Sequence, residues 1–305
     1  MSSYYCMPRR IRLLDDPHGV VDLTSRTLHG RYLMPPGKKV NDRILGVLGR
    51  AQRMYAVDLH AFIFMSNHKH IMATAPSVEH MARFEGYLKA NIAKELGRLH
   101  NWKEKFWGRR YQSISINFNE HDLEKRFLYI LENGCKEGLV DSPLDWPGVT
   151  SARALYDGQW TIPCNWYDRT AQYRASQRGV DEEVLIKETV RLTPLPFLQE
   201  RSPEEQRAYY VNAVRDIERK TKEMHQKNGT SSMGARAIRR LKPYSKPKAF
   251  KATPAPLFHA ANREDFWAMY NARQAKEALY RDAARRLKEG ETDVEFPEDC
   301  FPPRN

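Results

Sequence analysis

Residues 59–73 read LHAFIFMSNHKHIMA, and this stretch decides how the first half of the chain folds. The segment LHAFIFM (59–65) is a β-rich run, and HKHIMA (68–73) continues after a break of two polar residues. Two such runs on either side of a short break are typical of two strands joined by a tight connection. The sequence therefore predicts a pair of adjacent strands at the centre of the fold.

The patterns that flank this pair extend it into a recognisable order of elements. They predict a strand, a helix, a second helix, a strand and a third helix over residues 20–26, 41–56, 77–99, 110–116 and 119–135, respectively. The order β-α-β-β-α-β is ferredoxin-like, and one helix is appended to it. The predicted fold class is α+β, with a ferredoxin-like antiparallel sheet, helices on one face, an appended helix and a mainly helical C-terminal region.

Composition limits the partners and the compartment. The 305 residues are 41% hydrophobic, enough for a real core, and the formal net charge of +12 favours a polyanionic partner. No apolar stretch approaches the roughly 18–20 residues that span a bilayer. The four cysteines are widely spaced and form no CxxC pair, which argues against a zinc ribbon and fits a reducing compartment. We therefore expect a cytoplasmic protein with no membrane partner.

His68-Lys69-His70 is the first candidate for chemistry. Side chains alternate across a strand, so His68 and His70 project from one face and Lys69 from the other. Two imidazoles side by side form half of a divalent-metal site. The same pattern also occurs by chance, and the histidines could simply be hydrogen-bonded polar groups. The pair alone leaves both interpretations open.

Tyr129 and Asn133 supply the second candidate. They are four residues apart on the last predicted helix and therefore share one of its faces. An amide oxygen completes a site of hard character that suits Mg²⁺ or Mn²⁺, and an activated tyrosine is a competent nucleophile. The alternative is that Tyr129 belongs to the apolar core stripe of this helix.

Three motifs together resemble a known family. MSNHKHIM (65–72), FWGRRYQSI (106–114) and YILENGCKEGLV (129–140), the last followed by DSPLDWPGVTSA, occur in the order and spacing of single-tyrosine HUH transposases. They look most like the REP-associated tyrosine transposases and their relatives. The resemblance covers roughly residues 18–157. It implies a transposase domain over 18–157, which leaves 158–305 as a helical and basic accessory region expected to bind DNA.

The resemblance implies a mechanism and assigns roles. His68, His70 and Asn133 are expected to hold Mg²⁺ or Mn²⁺, and Tyr129 is expected to attack a phosphodiester of single-stranded DNA. The family's enzymes cleave and rejoin strands through a 5′-phosphotyrosine intermediate. The implied partners are single-stranded or hairpin DNA, and the chain could be a monomer or a homodimer.

Two departures from the family pattern keep other functions open. The middle HUH residue is usually apolar, whereas here it is Lys69, and a lysine can snorkel to the sheet edge without destroying the site. Many relatives have Asn-Pro where this chain has Asn133-Gly134, and glycine there could loosen the end of the helix. A catalytically inactive, repurposed nucleic-acid-binding protein on the same fold is the alternative. A metal-dependent phosphodiesterase with no covalent step would share the histidines without needing Tyr129.

Basic and aromatic residues could hold the DNA, because guanidinium groups suit phosphates and rings stack on unpaired bases. The candidates are Arg26, Arg31, Arg109, Arg110, Tyr111, Arg236, Arg239, Arg240 and Lys242. Phe106 and Trp107 could stack on bases or anchor the core. Residues 233–251 contain seven basic residues and no acidic one, which fits either an extended arm along DNA or a solvated linker.

Overall fold

A computed structural model of the protein describes residues 19–180, 183–247, 256–298, 300 and 302–303. Its strands and helices are, in chain order, β1 (Val21–Arg26), α1 (Lys38–Met54), β2 (Asp58–Phe64), β3 (His68–Thr74), α2 (Val78–His100), β4 (Gln112–Ile116), α3 (Glu120–Leu131), α4 (Asn133–Lys136), α5 (Ala152–Asp157), β5 (Thr161–Tyr167), α6 (Arg169–Ser176), β6 (Leu185–Arg191), α7 (Pro203–Asn228), α8 (Ala235–Ile238), β7 (Phe258–His259) and α9 (Arg263–Lys288).

The main sheet has the strand order β2-β3-β1-β4-β7. The first four strands are antiparallel to their neighbours, which confirms the predicted ferredoxin-like arrangement. The fifth strand, β7, runs parallel to β4 and makes the sheet mixed rather than purely antiparallel. The sequence did not reveal β7 because a strand of two residues is too short to show alternation.

Local capping signals define where the helices of this domain begin. The Ser77 side chain accepts a hydrogen bond from the backbone N–H of His80, and Asn119 accepts one from Asp122. Such caps satisfy backbone donors that have no partner within the helix. They explain why α2 and α3 start where the sequence predicts.

Helices cover both faces of the sheet. Lys69 of β3 reaches Glu85 on α2, whereas the ring of its neighbour His70 contacts Tyr129 on α3. Adjacent residues in a strand point to opposite faces, so α2 and α3 lie on opposite sides of β3. Helix α1 packs on α2. The appended helix α3 thus lies on the face of the sheet that carries the histidines, opposite α2.

A two-stranded sheet of β5 and β6 packs against α1 and was not predicted. Pro163 lies within β5, and a proline inside a segment argues against predicting a strand there. The contact with α1 is close because Gly46 has no side chain, and a Cβ there would lie 2.0 Å from the carbonyl oxygen of Asn165.

The C-terminal region contains two long helices, in agreement with the mainly helical region that the sequence predicts. Helices α7 and α9 have 26 residues each. Neither of them, nor any other helix in the described part of the chain, is apolar enough over its length to cross a membrane.

One hydrophobic core joins residues from both halves of the chain. It contains the buried residues of the main sheet together with Val190, Leu198, Tyr210 and Ile238. The division into 18–157 and 158–305 therefore follows the motifs and remains a prediction.

Candidate functional site

The four residues expected to form the site lie together, where the beginning of β3 meets the end of α3. Nε2 of His68 is 3.2 Å from Oδ1 of Asn133. The rings of His68 and His70 have centroids 5.4 Å apart, and the ring of Tyr129 is 5.6 Å from that of His70 in an edge-to-face contact. The structure thus brings together two imidazoles, an amide and a phenol, while their catalytic and metal-binding roles remain predictions.

The register between β1 and β3 adds a carboxylate to this face of the sheet. Arg26 lies opposite His68, and Asp22 lies opposite Met72. Directly paired residues of antiparallel strands share a face, so Asp22 and Arg26 project toward α3 along with the histidines. Sequence reasoning missed Asp22 because its position relative to His70 depends on this register, which the sequence of β1 does not show.

Asp22 fixes the orientation and the tautomer of His70. Nδ1 of His70 is 2.8 Å from Oδ2 of Asp22, and Nε of Arg126 donates to the same oxygen at 2.9 Å. Burial would raise the pKa of Asp22, but the charges of His70 and Arg126 and their hydrogen bonds hold it well below its usual range. A carboxylate only accepts hydrogen bonds, so Nδ1 of His70 carries a proton, and Nε2 is the ring nitrogen left to face a ligand.

Asn67 does the same for His68. Its amide group donates to the carbonyl oxygen of Gly30 at 3.1 Å, which turns Oδ1 toward Nδ1 of His68 at 2.7 Å. Nδ1 of His68 therefore donates, and Nε2 is left with a lone pair. Burial, together with the charges of His70 and Arg26, lowers the pKa of His68 to about 3, so this imidazole is neutral at neutral pH.

The lone-pair atoms of this site fit a divalent cation. The lone pair of His68 Nε2 faces Oδ1, the side-chain amide oxygen of Asn133, at 3.2 Å. Both atoms are hydrogen-bond acceptors, so no proton lies between them. Adjacent ligands in an octahedral site with bonds of about 2.0–2.1 Å are about 3 Å apart. Each histidine also has the second hydrogen bond that is typical of metal ligands.

The site is nevertheless sparse in charged ligands. No group of three or more His, Cys, Asp or Glu side chains in the described ranges is arranged to hold a metal ion. A cation here would depend on the amide of Asn133 and on oxygens from outside the chain. Such a partial set is usual for Mg²⁺, which keeps several waters and binds substrate phosphates.

Two cations lie against the ring of Tyr129. The guanidinium carbon of Arg126 is 4.5 Å from the ring centroid, and Nζ of Lys136 is 4.7 Å from it. Burial raises the pKa of Tyr129, and the charge of Arg126 opposes this effect only in part, so the phenol is protonated at rest. Both cations favour the phenolate that forms as the oxygen attacks. Helical spacing from Tyr129 could have found Arg126, which lies three residues before it on the same helix.

Lys69 does not snorkel to the sheet edge. Its side chain is fully buried, with Nζ 2.9 Å from both carboxylate oxygens of Glu85. The hydroxyl of Ser25 donates to the same carboxylate at 3.2 Å. Helix α2 covers this face of β3, so the lysine has no route to water and pairs with an acid of that helix instead.

Gly134 occupies a closely packed position after the end of α3. The predicted helix 119–135 divides at Glu132 into α3 and the short α4. Gly134 is buried, and a Cβ there would lie 3.0 Å from the Val140 side chain and 3.5 Å from Trp146. Glycine thus lets the chain after the site pack closely against α4.

The predicted DNA-binding residues of the first half occupy different environments. Arg26 is exposed at the end of β1, beside His68. Arg109 and Arg110 are exposed ahead of β4, and Tyr111 packs against the core. Arg26 is thus the member of this group that lies within the site.

Phe106 and Trp107 are core anchors. They are 4% and 7% exposed, and the indole N–H of Trp107 donates to the carbonyl oxygen of Lys89. Of the two roles left open by the sequence, the structure supports packing.

The cations predicted in the C-terminal region lie on a segment that is fixed to the domain. Arg236, Arg239, Arg240 and Lys242 are exposed. Arg31 donates to the carbonyl oxygen of Tyr244 at 2.8 Å and so helps to hold this segment. The remainder of the predicted basic stretch, residues 248–251, lies outside the described residues.

The comparison with protein families gives a match that includes His68, His70, Tyr129 and Asn133. Residues 32–133 match the family described as Transposase IS200 like. No curated protein matches the chain. A REP-associated tyrosine transposase bound to a REP hairpin is 19% identical, with 52% of this chain and 86% of that chain covered and a TM-score of 0.39. A candidate transposase from Deinococcus radiodurans R1 is 18% identical, with 37% and 88% covered and a TM-score of 0.27.

Proposed function

Because residues 32–133 match the family described as Transposase IS200 like, we propose that this chain cleaves and rejoins single-stranded DNA with Tyr129 as the nucleophile. In the proposal, His68, His70 and Asn133 hold Mg²⁺ or Mn²⁺. The observation that carries it is the approach of His68 Nε2 to Asn133 Oδ1 at 3.2 Å, two lone-pair atoms that face one another beside Tyr129.

The residues of the site would each do one part of the work. When bound, a divalent ion polarises the scissile phosphate and stabilises the charge on its oxygens. The phenolic oxygen of Tyr129 attacks phosphorus, the bond from phosphorus to the 3′ oxygen breaks, and the phenol proton passes through water to that oxygen. The products are a 5′-phosphotyrosine and a free 3′-hydroxyl. Arg126 and Lys136, both against the tyrosine ring, stabilise the negative charge on the attacking oxygen.

The step is reversible, which gives rejoining as well as cleavage. The phosphotyrosine bond conserves the energy of the phosphodiester, so a 3′-hydroxyl that attacks it regenerates a DNA strand and the free phenol. Asp22 would act through His70, whose orientation and tautomer it fixes. It is therefore a positioning residue in this proposal.

The DNA would be held by cations around the site. Arg26 lies beside His68, and its carbonyl oxygen accepts a hydrogen bond from the N–H of Gly108, which directly precedes the exposed Arg109 and Arg110 and then Tyr111. The formal net charge of +12 supports a polyanion as partner. We propose single-stranded DNA, including the strand that flanks a hairpin, as the substrate. We also propose that residues 18–157 are the catalytic domain and 158–305 an accessory DNA-binding region.

Lys69 does not favour the alternative function, a catalytically inactive nucleic-acid-binding protein. That residue lies on the opposite face of the sheet from the histidines and completes a buried ion pair. Its charge therefore does not enter the site.

The test is the formation of a covalent adduct. The native chain is mixed with labelled single-stranded and hairpin oligonucleotides in Mn²⁺ or Mg²⁺, and denaturing gels are used to detect protein-linked label. We expect an adduct that needs the metal and disappears in Tyr129→Phe. The exposed Tyr173 offers a matched control, and Tyr173→Phe should keep the adduct. Cleavage that survives in Tyr129→Phe would indicate a hydrolytic nuclease, and binding without cleavage in chelator and metal alike would indicate a binding protein.

A further inference from the structure

The segment 233–245, here called the strap, is attached to the domain at both ends. At its beginning, the backbone N–H groups of Met233 and Gly234 donate to the carbonyl oxygens of Gly138 and Leu139, both at 2.9 Å. Ile238, in its middle, is fully buried in the main core. The strap is therefore part of the folded body, in contrast to the free arm or solvated linker considered from the sequence.

The second attachment lies at the loop that follows β1. The N–H of Tyr32 donates to the carbonyl oxygen of Ser245 at 2.7 Å, and that of Tyr244 donates to Tyr32 at 3.3 Å. The rings of Tyr244 and Trp102 stack at 5.3 Å, and Arg31 donates to the carbonyl oxygen of Tyr244. Tyr244 adopts a left-handed backbone conformation with φ of 72°, which for a bulky residue persists only where its surroundings hold it.

These attachments lie on two sides of the Tyr129 site. Gly138 follows the proposed ligand Asn133 by five residues, at the end of the short α4. On the other side, Gly30 accepts the hydrogen bond of Asn67, whose oxygen orients His68. The strap thus runs from the chain just after one proposed ligand to the loop that supports another, and it borders the site.

The strap presents cations that have no acidic partner among the described residues. Arg236, Arg239, Arg240 and Lys242 are exposed, and none of them forms an ion pair with the residues that the structure describes. Arg281 and Arg285 of α9 differ, because they pair with Glu277 and Asp282 of the same helix. Unpaired cations on a fixed backbone suit a row of phosphates, since binding gains counterion release without a large cost of ordering the segment.

We propose that the strap binds the backbone of the single-stranded DNA that flanks the scissile phosphate, and so guides the strand into the Tyr129 site. The proposal rests on the proposed function for its choice of DNA as partner. It assigns the strap a role in affinity for the flanking strand, whereas the chemistry stays with Tyr129 and the residues around it.

The test removes three strap cations from the full chain and measures DNA affinity against salt. Arg236→Gln, Arg239→Gln and Arg240→Gln are combined in the Tyr129→Phe background, which blocks cleavage, and binding of a labelled oligonucleotide is followed by fluorescence anisotropy. Each lost phosphate contact reduces the salt slope of log K by about 0.7 for a single strand, so the slope should fall by about 2. The affinity at 0.1 M salt should then fall by about 100-fold.

A matched control carries the same change of net charge elsewhere. Arg174, Arg178 and Lys187 are exposed on and around α6 and β6, and β6 packs on α1, away from α3. Their replacement by glutamine should leave the salt slope nearly unchanged. Equal effects of the two triple variants would overturn the proposal, because the strap would then contribute only through the overall charge.

Oligonucleotide length separates the strap from the site. With a strand of about 20 nucleotides the strap variant should bind more weakly than the Tyr129→Phe parent, and with one of about 6 nucleotides that cannot reach beyond the site the difference should vanish. A difference that is the same at both lengths would contradict a contact with the flanking strand. If the native chain forms no covalent adduct but the strap still sets the salt slope, only the proposed function fails.

Discussion

Replacing Lys69 with methionine is expected to lower the free energy of unfolding by about 3–5 kcal/mol. The pair it forms with Glu85 is completely buried, at 0% exposure for both side chains, and Nζ lies 2.9 Å from the carboxylate. Removal of one partner leaves the other charge buried without compensation, which costs about that amount. The hydroxyl of Ser25 would still donate to Glu85, but one neutral donor cannot replace the lysine.

The expected loss can be expressed as a change of melting temperature. Unfolding entropy is about 2.1 cal/mol/K per residue, or about 0.6 kcal/mol/K for a chain of 305 residues. A loss of 3–5 kcal/mol then corresponds to about 5–8 °C. Urea unfolding followed by circular dichroism gives the free energy, and differential scanning calorimetry gives the temperature.

The double variant Lys69→Met with Glu85→Leu separates the cost of an unpaired charge from the cost of altered packing. Apolar residues of similar volume often replace a buried ion pair with little loss, so we expect the double variant to recover most of the stability. A single variant that costs under about 1 kcal/mol, or a double variant as unstable as the sum of the singles, would refute the reasoning.

Three further outcomes follow from the packing and hydrogen bonds. Gly46→Ala should destabilise the protein by at least about 1–3 kcal/mol, because its Cβ would lie 2.0 Å from a backbone oxygen. As the control, Gly86→Ala should stabilise the protein by about 0.5–1 kcal/mol, because nothing lies within 4 Å of the new Cβ. Similar urea midpoints for the two variants would contradict the close contact at Gly46. Burial lowers the pKa of His60, so the unfolded chain takes up a proton below about pH 6.5 that the folded chain excludes. Stability should be complete above that pH and fall beneath it by up to about 1.4 kcal/mol per unit, and His60→Gln should flatten this slope in melting experiments at pH 7 to 5; an unchanged slope would show that His60 does not contribute. Asp22→Asn should weaken Mn²⁺ binding by about 10–100-fold in isothermal titration calorimetry, and an unchanged affinity would show that the histidine it orients needs no such support.

The sequence predicted elements that depend on local signals. Ser77 and Asn119 cap helices as expected, and the alternation around His68 and His70 placed both on one face of a strand. The spacing of Tyr129 and Asn133 likewise depends only on helix geometry. These signals lie within a few residues of the feature they determine, so no knowledge of the tertiary structure was needed.

Features that depend on contacts distant in sequence were missed. Asp22 reaches His70 only through the register of β1 and β3, and the partner of Lys69 lies on a helix whose packing the sequence does not specify. The strand pair β5 and β6 is obscured by Pro163 and depends on Gly46 of α1 for its packing. In each case the deciding interaction joins residues that no periodic pattern connects.

Identification of the residue that carries DNA after the reaction is the most direct test of Tyr129 as the nucleophile. The adduct formed with a single-stranded oligonucleotide and Mn²⁺ is digested with protease and nuclease, and the nucleotide-linked peptide is sequenced by mass spectrometry. We expect a nucleotide joined through its 5′ phosphate to Tyr129. A nucleotide on any other residue, or cleaved DNA with no linked peptide, would contradict it.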